Sequence, residues 1–242
     1  MYSLPSNPLN NRASIEPWAL FIDIEGFSNL LISDRGQAAF LVRVLANGIH
    51  NIGSRVFPEV SERLFAYGLG DGFLIVPDIS RQTVEKPLAI ATVLMHHILS
   101  QGGVAKASIS RGETADVSGW FTDSVREGSM GHGLIRIYHI MGTALLNSYN
   151  VGKDCSGAVL ALDPSFASEL PEAIIIKQGN PILVDWINID FPLLQTVANR
   201  SALPLLPASE ARVLLSTYIE NQSNLTEDWI NNTNESTTLE GV

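Results

Sequence analysis

Apolar residues run from Trp18 to Ile24 (WALFIDI) with one interruption, Asp23. So short a run, rich in large and β-branched side chains, predicts a buried strand. Over residues 26–57 the period changes. Leu41, Val44, Leu45, Gly48, Ile49 and Ile52 recur at helical spacing, which predicts one long helical stretch interrupted near Asp34–Gly36. Residues 64–76 read as two short strands about Gly70-Asp71-Gly72, whose glycines accept the positive φ of a tight hairpin turn. KPLAIATVLMHHILSQGG predicts a second helix, with Pro87 in its first turn and paired glycines at its end. VAKASISRG predicts a strand ending at Gly112. Residues 116–133 are irregular and glycine-rich, with a short strand at 117–121, and LIRIYHIMGTALLNSYNVGK (134–153) reads as a third helix. GAVLALD is a strand, PSFASEL a short helix, and AIIIKQGNPILVDWINI a last hairpin turned at Gln178–Pro181.

The resulting order is β-α-ββ-α-β-α-β-α-ββ. Hairpins mixed with crossovers imply an α+β fold, helices flanking one mixed sheet. The pattern sets residues 16–190 apart as one domain. Residues 1–15 form a polar arm. Residues 191–242 hold a helix opened by Ser209 and then an acidic stretch, 221–242, rich in Asn, Thr and Glu and without Lys or Arg, which reads as disordered.

Composition narrows the function. A hydrophobic fraction of 45% over 242 residues is enough for a sizeable core. A formal charge of −10 argues against a general nucleic-acid surface, so an anionic ligand would need metal ions or a locally basic pocket. One cysteine, Cys155, permits no internal disulfide and fits a reducing compartment. No apolar run reaches about 18 residues, and the N-terminus lacks a signal-peptide core, so a cytoplasmic location without membrane attachment is expected.

Two acids then stand out. Asp71 in a Gly-Asp-Gly turn is, alone, ordinary turn chemistry. Asp23 is harder to place, because an acid in an apolar strand is costly to bury unless it is paired or bound. Two acids at the ends of adjacent strands, each near a glycine, can face one cleft. There they can hold Mg²⁺ or Mn²⁺, which prefer carboxylate oxygens and keep coordination sites for phosphate. The turn IEGFSNL after Asp23 enters a helix, where free backbone N–H groups suit phosphate and Gly26 permits a close approach.

FIDIEGF followed 48 residues later by a GD-tipped hairpin resembles the catalytic domain of class III nucleotide cyclases, which carry F-x-D-I-x-G-F on the first strand and a G-D turn between the next two. ASISRGE (107–113), MGTALLNSY (141–149) and IIIKQGNPILVDWI (174–187) look like later and weaker motifs of the family, so the similarity covers about residues 17–188. The resemblance implies a class III cyclase-like fold with a ferredoxin-like βαββαβ core. It implies that Asp23 and Asp71 bind two divalent ions, Mn²⁺ or Mg²⁺, with the Ile24 carbonyl as a further ligand. Glu25, Gly26, Phe27 and Ser28 would hold the phosphates, with Lys177 of the last hairpin as a basic partner. The implied reaction is attack of a ribose 3′-oxygen on the α-phosphate of a nucleoside triphosphate, releasing pyrophosphate. The implied assembly is a head-to-tail homodimer with sites at its interface.

The sequence also departs from the family's pattern. Tyr67 stands where purine cyclases place a base-reading Lys or Glu, and His139 falls near the partner position. Asn147 or Asn150 on the third helix are the candidates for the transition-state Asn, but no Arg follows at the family's spacing. These departures look like the pyrimidine cyclases of bacterial antiphage systems, whose cyclic UMP or cyclic CMP activates a separate effector. Tyr67 would then fill the room left by a smaller base, with UTP favoured over CTP. The alternatives are an adenylate or guanylate cyclase, or a catalytically silent cyclase-like module that binds nucleotide. A diguanylate-cyclase-like palm ranks last, because GLGDGF carries one acid at its turn. Several residues also have simpler readings: Tyr67 as a packed strand residue, Lys177 as a solvated hairpin lysine, Arg111 in a surface ion pair and Cys155 in packing.

Overall fold

The computed structural model describes residues 16–57, 64–77, 83–113, 115–116, 140–170, 175–177 and 179–237. β1 (Trp18–Ile24) leads through Gly26 into α1 (Phe27–Ser33) and α2 (Arg35–Asn51), which runs on as a π-turn, Ile52–Val56. The hairpin β2 (Leu64–Leu69) and β3 (Gly72–Pro77) is followed by α3 (Glu85–Ser100) and β4 (Ala105–Arg111). Next come the two-residue strands β5 (Ala115–Asp116) and β6 (Ile140–Met141), α4 (Thr143–Gly152) and β7 (Leu160–Leu162). A 3₁₀ turn (Pro164–Glu169), β8 (Ile175–Lys177), β9 (Ile182–Val184), α5 (Pro192–Ser201), α6 (Ala208–Glu220) and α7 (Glu227–Thr237) complete the described chain. No described helix is long and apolar enough to cross a membrane.

Seven strands form one mixed sheet in the order β2-β3-β1-β4-β7-β9-β8, and β5 and β6 pair separately. The fold is thus the expected α+β, a mixed sheet flanked by helices. The first four strands with their crossovers give the expected βαββαβ order: β1 lies between β3 and β4 and is antiparallel to both.

Alternation decides which side of β1 meets which layer. Leu20, Ile22 and Ile24 pack with Ile75, Ala107 and Ile109 into the main core beneath α2 and α3. Ala19 faces the other way, against Val76 and Ala144 of α4, and Phe21 meets Tyr149 of α4 edge-on at 5.5 Å between ring centres. By the same parity Asp23 belongs to the α4 side, which keeps its carboxylate out of the main core. α3 is buried along nearly its whole length because the sheet lies on one side and α5 and α6 pack on the other.

Local chemistry explains the breaks. The expected interruption near Asp34 is a helix boundary: Asp34 leaves helical geometry, and its side chain caps α2 by accepting from the Gln37 N–H at 3.0 Å. Of the expected third helix, Thr143–Gly152 is helical, and residues 134–139 lie outside the described residues. Ile140 and Met141 pair instead with Asp116 and Ala115, and Gly142, at a φ of 155°, turns the chain between strand and helix. The expected strand at 117–121 and the arm at 1–15 lie outside the described residues.

The C-terminal reading needs three corrections. α5 was not foreseen by the apolar pattern. α6 starts at Ala208 after Pro207, so Ser209 lies within it and does not cap it. Residues 227–237, expected to be disordered, form α7. Its Trp229 is buried, Ile230 packs on the core, and Thr233 and Thr237 are buried as well. The one large aromatic in a polar stretch supplies enough buried area to dock the helix.

Candidate active site

Cross-strand partners share a sheet face, so the strand register defines the surface around Asp23. One row across that face reads Ser108, Phe21, Leu74, Tyr67 on β4, β1, β3 and β2. The next row holds Lys106 directly opposite Asp23, with Leu69 opposite Gly72 farther along. Gly72 crosses β1 at Asp23. A Cβ there would sit 2.9 Å from the Asp23 Cβ and 3.1 Å from the Phe21 ring, so any other residue would push the hairpin tip off β1. Gly70 takes the positive φ (70°) that the turn requires, and Asp71 between the two glycines is half-buried. The structure therefore brings Asp23, Asp71 and Tyr67 to one face.

Asp23 is electrostatically unsatisfied. Its Oδ1 is buried with no hydrogen-bond partner, and its Oδ2 is 4.0 Å from Lys106 Nζ, the limit of an ion pair. Burial pushes its carboxyl up to about 6. The Lys106 ammonium and, more weakly, Asp23's own backbone N–H pull the other way, and the Glu25 and Asp71 carboxylates add to the rise. Lys106 also lies 3.6 Å from Glu25 Oε2 and donates to the Cys155 carbonyl at 3.1 Å. Among the described residues the basic group beside Asp23 is thus Lys106, which the sequence pattern alone does not single out. Its signal is that it interrupts an apolar strand, just as Asp23 does, but only the strand register shows the two to be neighbours.

The turn after Asp23 differs from the expectation in one respect. The Glu25 N–H is already given to the Val104 carbonyl at 2.9 Å, and the Glu25 side chain turns away to the C-terminal helices. Gly26 enters α1 at a φ of 73°, and the Phe27 and Ser28 amides lie ahead of that helix's own ladder. Gly26, Phe27 and Ser28 complete the turn that opens α1. Ile24 is buried in the core, so only its backbone is left for the ligand role.

The other candidates separate cleanly. Asn147 donates its Nδ2 to the Arg111 carbonyl at 2.9 Å, and Asn150 is exposed one turn on. Arg111 pairs with Glu169 at 2.7 Å and lies over the Trp18 and Phe166 rings, as its surface ion-pair reading expects. Cys155 is half-buried with its thiol on the Val151 carbonyl, in keeping with packing. Lys177 ends β8, with its side chain outside the described residues, and His139 lies outside them entirely.

Among the described residues no three His, Cys, Asp or Glu side chains converge to hold a metal. Asp23 and Asp71, the two acids expected to bind a cation, are close enough to raise the proton affinity of Asp23. The orphaned Asp23 Oδ1 fits such a guest, because an oxygen without a hydrogen-bond donor is free for a cation. No protein-family model matches the sequence, and no curated protein is significantly similar to it.

Asp23 and His96 predict opposing pH effects. His96 on α3 is buried, accepts the Leu206 N–H at Nδ1 (3.3 Å) and meets the Trp186 carbonyl through Nε2 (3.2 Å), so it is the neutral Nε2–H tautomer. Burial lowers its pKa to about 4, and burial also lowers that of His97. The unfolded chain therefore takes up the histidine protons first, and stability falls as pH drops from about 6.5 toward 4. Asp23 binds its proton more tightly when folded, so it adds stability as pH falls from about 6 toward 3.8. Urea denaturation of Asp23→Asn is expected to show a loss of about 2 kcal/mol between pH 7 and pH 5 from His96 alone. The wild type is expected to lose less. Equal slopes in the two proteins would contradict the assignment of Asp23.

Proposed function

We propose that the chain is a metal-dependent nucleotide cyclase of the class III type. It would convert a pyrimidine nucleoside triphosphate, UTP ahead of CTP, to the 3′,5′-cyclic nucleotide and pyrophosphate. The observation that carries this reading is the buried, unpartnered Asp23 oxygen beside Asp71 at a glycine-built crossing of two strands. The βαββαβ order and the F-I-D-I-E-G-F turn support it. Asp23 and Asp71 would hold two divalent cations, Mn²⁺ or Mg²⁺. Bound there, these would neutralise the triphosphate and lower the proton affinity of the ribose 3′-hydroxyl.

The chain's own groups would supply orientation. Lys106 would meet phosphate oxygens as the basic partner in an otherwise acidic site. The Gly26, Phe27 and Ser28 amides would receive the outer phosphates. Tyr67, on the same face as Asp23, would lie against the base. The 3′-oxygen, its proton passing to water, would form its bond to the α-phosphorus as the bond from that phosphorus to the bridging oxygen breaks, and pyrophosphate would leave with the electron pair. The exposed apolar side chains Leu69, Leu146 and Tyr149, near this face, support a homodimer that closes the site with a second copy. A cytoplasmic enzyme whose product is a signal read by a separate effector in antiphage defence follows from the resemblance alone.

A silent nucleotide-binding module is the second reading. It is favoured by the engagement of Asn147 with the Arg111 carbonyl and by the absence of an arginine from α4. The two readings separate when purified protein is incubated with ATP, GTP, CTP and UTP in Mn²⁺ and the products are resolved by mass spectrometry. The cyclase reading expects a cyclic pyrimidine nucleotide, foremost cyclic UMP. A cyclic purine product would overturn the base assignment. Nucleotide-dependent thermal stabilisation without product would favour the silent module.

A further inference from the structure

Glu25 follows the candidate ligand Asp23 by two residues, yet its two oxygens serve different neighbours. Oε1 accepts from Trp229 Nε1 on α7 at 3.1 Å and from the Gly157 N–H at 3.2 Å. Oε2 faces Lys106 Nζ at 3.6 Å. One oxygen is a tether and the other a lure for the lysine.

The tether is firmly built. α7 lies on residues 156–158, where Thr233 Oγ1 accepts from the Ala158 N–H at 2.9 Å and Asn232 donates to the Ser156 carbonyl at 3.0 Å. A Cβ on Gly157 would come within 2.6 Å of Thr233 Oγ1 and 2.8 Å of the Trp229 carbonyl, so the helix and this segment touch backbone to backbone. Trp229 in turn stacks on Tyr218 of α6, whose hydroxyl would lie 3.7 Å from a Cβ on Gly26. The C-terminal helices thus reach the turn that follows Asp23.

The lysine lies nearer two other acceptors than Asp23, Glu25 Oε2 at 3.6 Å and the Cys155 carbonyl at 3.1 Å. Asp23 is left at 4.0 Å from it, with Oδ1 buried and unpartnered. Without the Glu25 charge, the ammonium's nearest carboxylate would be Asp23. A lysine closing on Asp23 would compete with a cation for the same oxygens.

We propose that Glu25 is a positioning residue, anchored by the C-terminal helix, that keeps the Lys106 ammonium beside Asp23 rather than on it and so leaves Asp23 open to a divalent cation. The inference rests on the metal-site reading above. It gives α7 a task in the site, although none of its residues need touch substrate.

The test uses the full chain and Mn²⁺ alone, with free Mn²⁺ followed by electron paramagnetic resonance. Glu25→Gln keeps an acceptor oxygen for Trp229 and Gly157, so the helix stays docked, but it loses the charge that draws Lys106. It is expected to weaken Mn²⁺ binding about fivefold to tenfold, and less than about twofold when Lys106→Gln is already present. Trp229→Phe keeps an aromatic ring in the seat and removes the N–H. It is expected to weaken binding roughly two- to threefold, again only with Lys106 in place. Equal losses in both backgrounds would mean that Glu25 acts by its own charge alone and would overturn the proposal. So would unchanged binding in both Glu25→Gln and Trp229→Phe. Failure of the wild type itself to bind Mn²⁺ would remove the metal-site reading and the proposal together, an outcome distinct from a flat mutant series.

Discussion

Asp23→Asn is expected to melt above the wild type at neutral pH and to turn nucleotide over far more slowly. The side chains match in shape, so the substitution removes a charge and little else. That charge is costly: with burial holding the Asp23 carboxyl near 6, keeping it ionised at pH 7 opposes folding by roughly 2–3 kcal/mol. That figure already includes the opposing pull of Lys106, and the unmet hydrogen bonds of a buried amide take back part of the gain. The expected net gain is about 1–2 kcal/mol, a rise in Tm of roughly 2–8 °C for a chain of this size. Turnover with Mn²⁺ is expected to fall at least about 100-fold, because an amide is a poor ligand for a hard cation. Stability kept below its maximum at one residue is what a binding site in wait of its ligand predicts. Thermal melts and product assays on the same preparation check both halves. A lower Tm would mean that Asp23 serves as the structural partner of Lys106.

Trp229→Ala is expected to cost about 3–5 kcal/mol, the usual range for emptying a buried aromatic seat. For a chain of this size that is a fall in Tm of roughly 6–20 °C. Two losses combine here. The ring leaves its stack on Tyr218, and Glu25 loses a hydrogen-bond donor. Trp229→Phe, which keeps most of the packing, is expected to cost less than half as much. A disordered C-terminal segment would leave both variants melting with the wild type, so calorimetry of the pair distinguishes a docked α7 from a loose tail.

Much of this architecture is legible in the sequence because short apolar runs and their breakers are local signals. WALFIDI, the glycine-flanked hairpin and the helical spacing after Gly26 each announce an element. The parity of Asp23 against Leu20 and Ile22 further places the acid off the main core. Register is not local. That Lys106 lies opposite Asp23 depends on how β4 slides along β1, which no residue of either strand announces.

The C-terminal segment was hidden for another reason. Asn, Thr and Glu dominate it, and that composition reads as a chain that cannot bury itself. α7 docks through Trp229 and Ile230, while Thr237 returns its hydroxyl to the Thr233 carbonyl at 2.7 Å and Thr233 serves the Ala158 N–H. Polar residues that find partners can be buried in a helix, and composition does not record who the partners are. The partners of Glu25 are hidden in the same way: its place in the turn is a local signal, but the contacts of its side chain with Trp229, Gly157 and Lys106 are not.

On the proposed reading Asp23 and Asp71 form one cation-dependent centre for cyclising a nucleoside triphosphate. The most direct measurement is a timed reaction of the purified chain with UTP and Mn²⁺, run beside Asp71→Asn and a chelated control, with cyclic nucleotide and pyrophosphate both quantified. Cyclic UMP and pyrophosphate are expected in equal amounts from the wild type, and neither from the variant or the chelated sample. Product formed equally well by Asp71→Asn, or no product from any nucleoside triphosphate in the wild type, would contradict it.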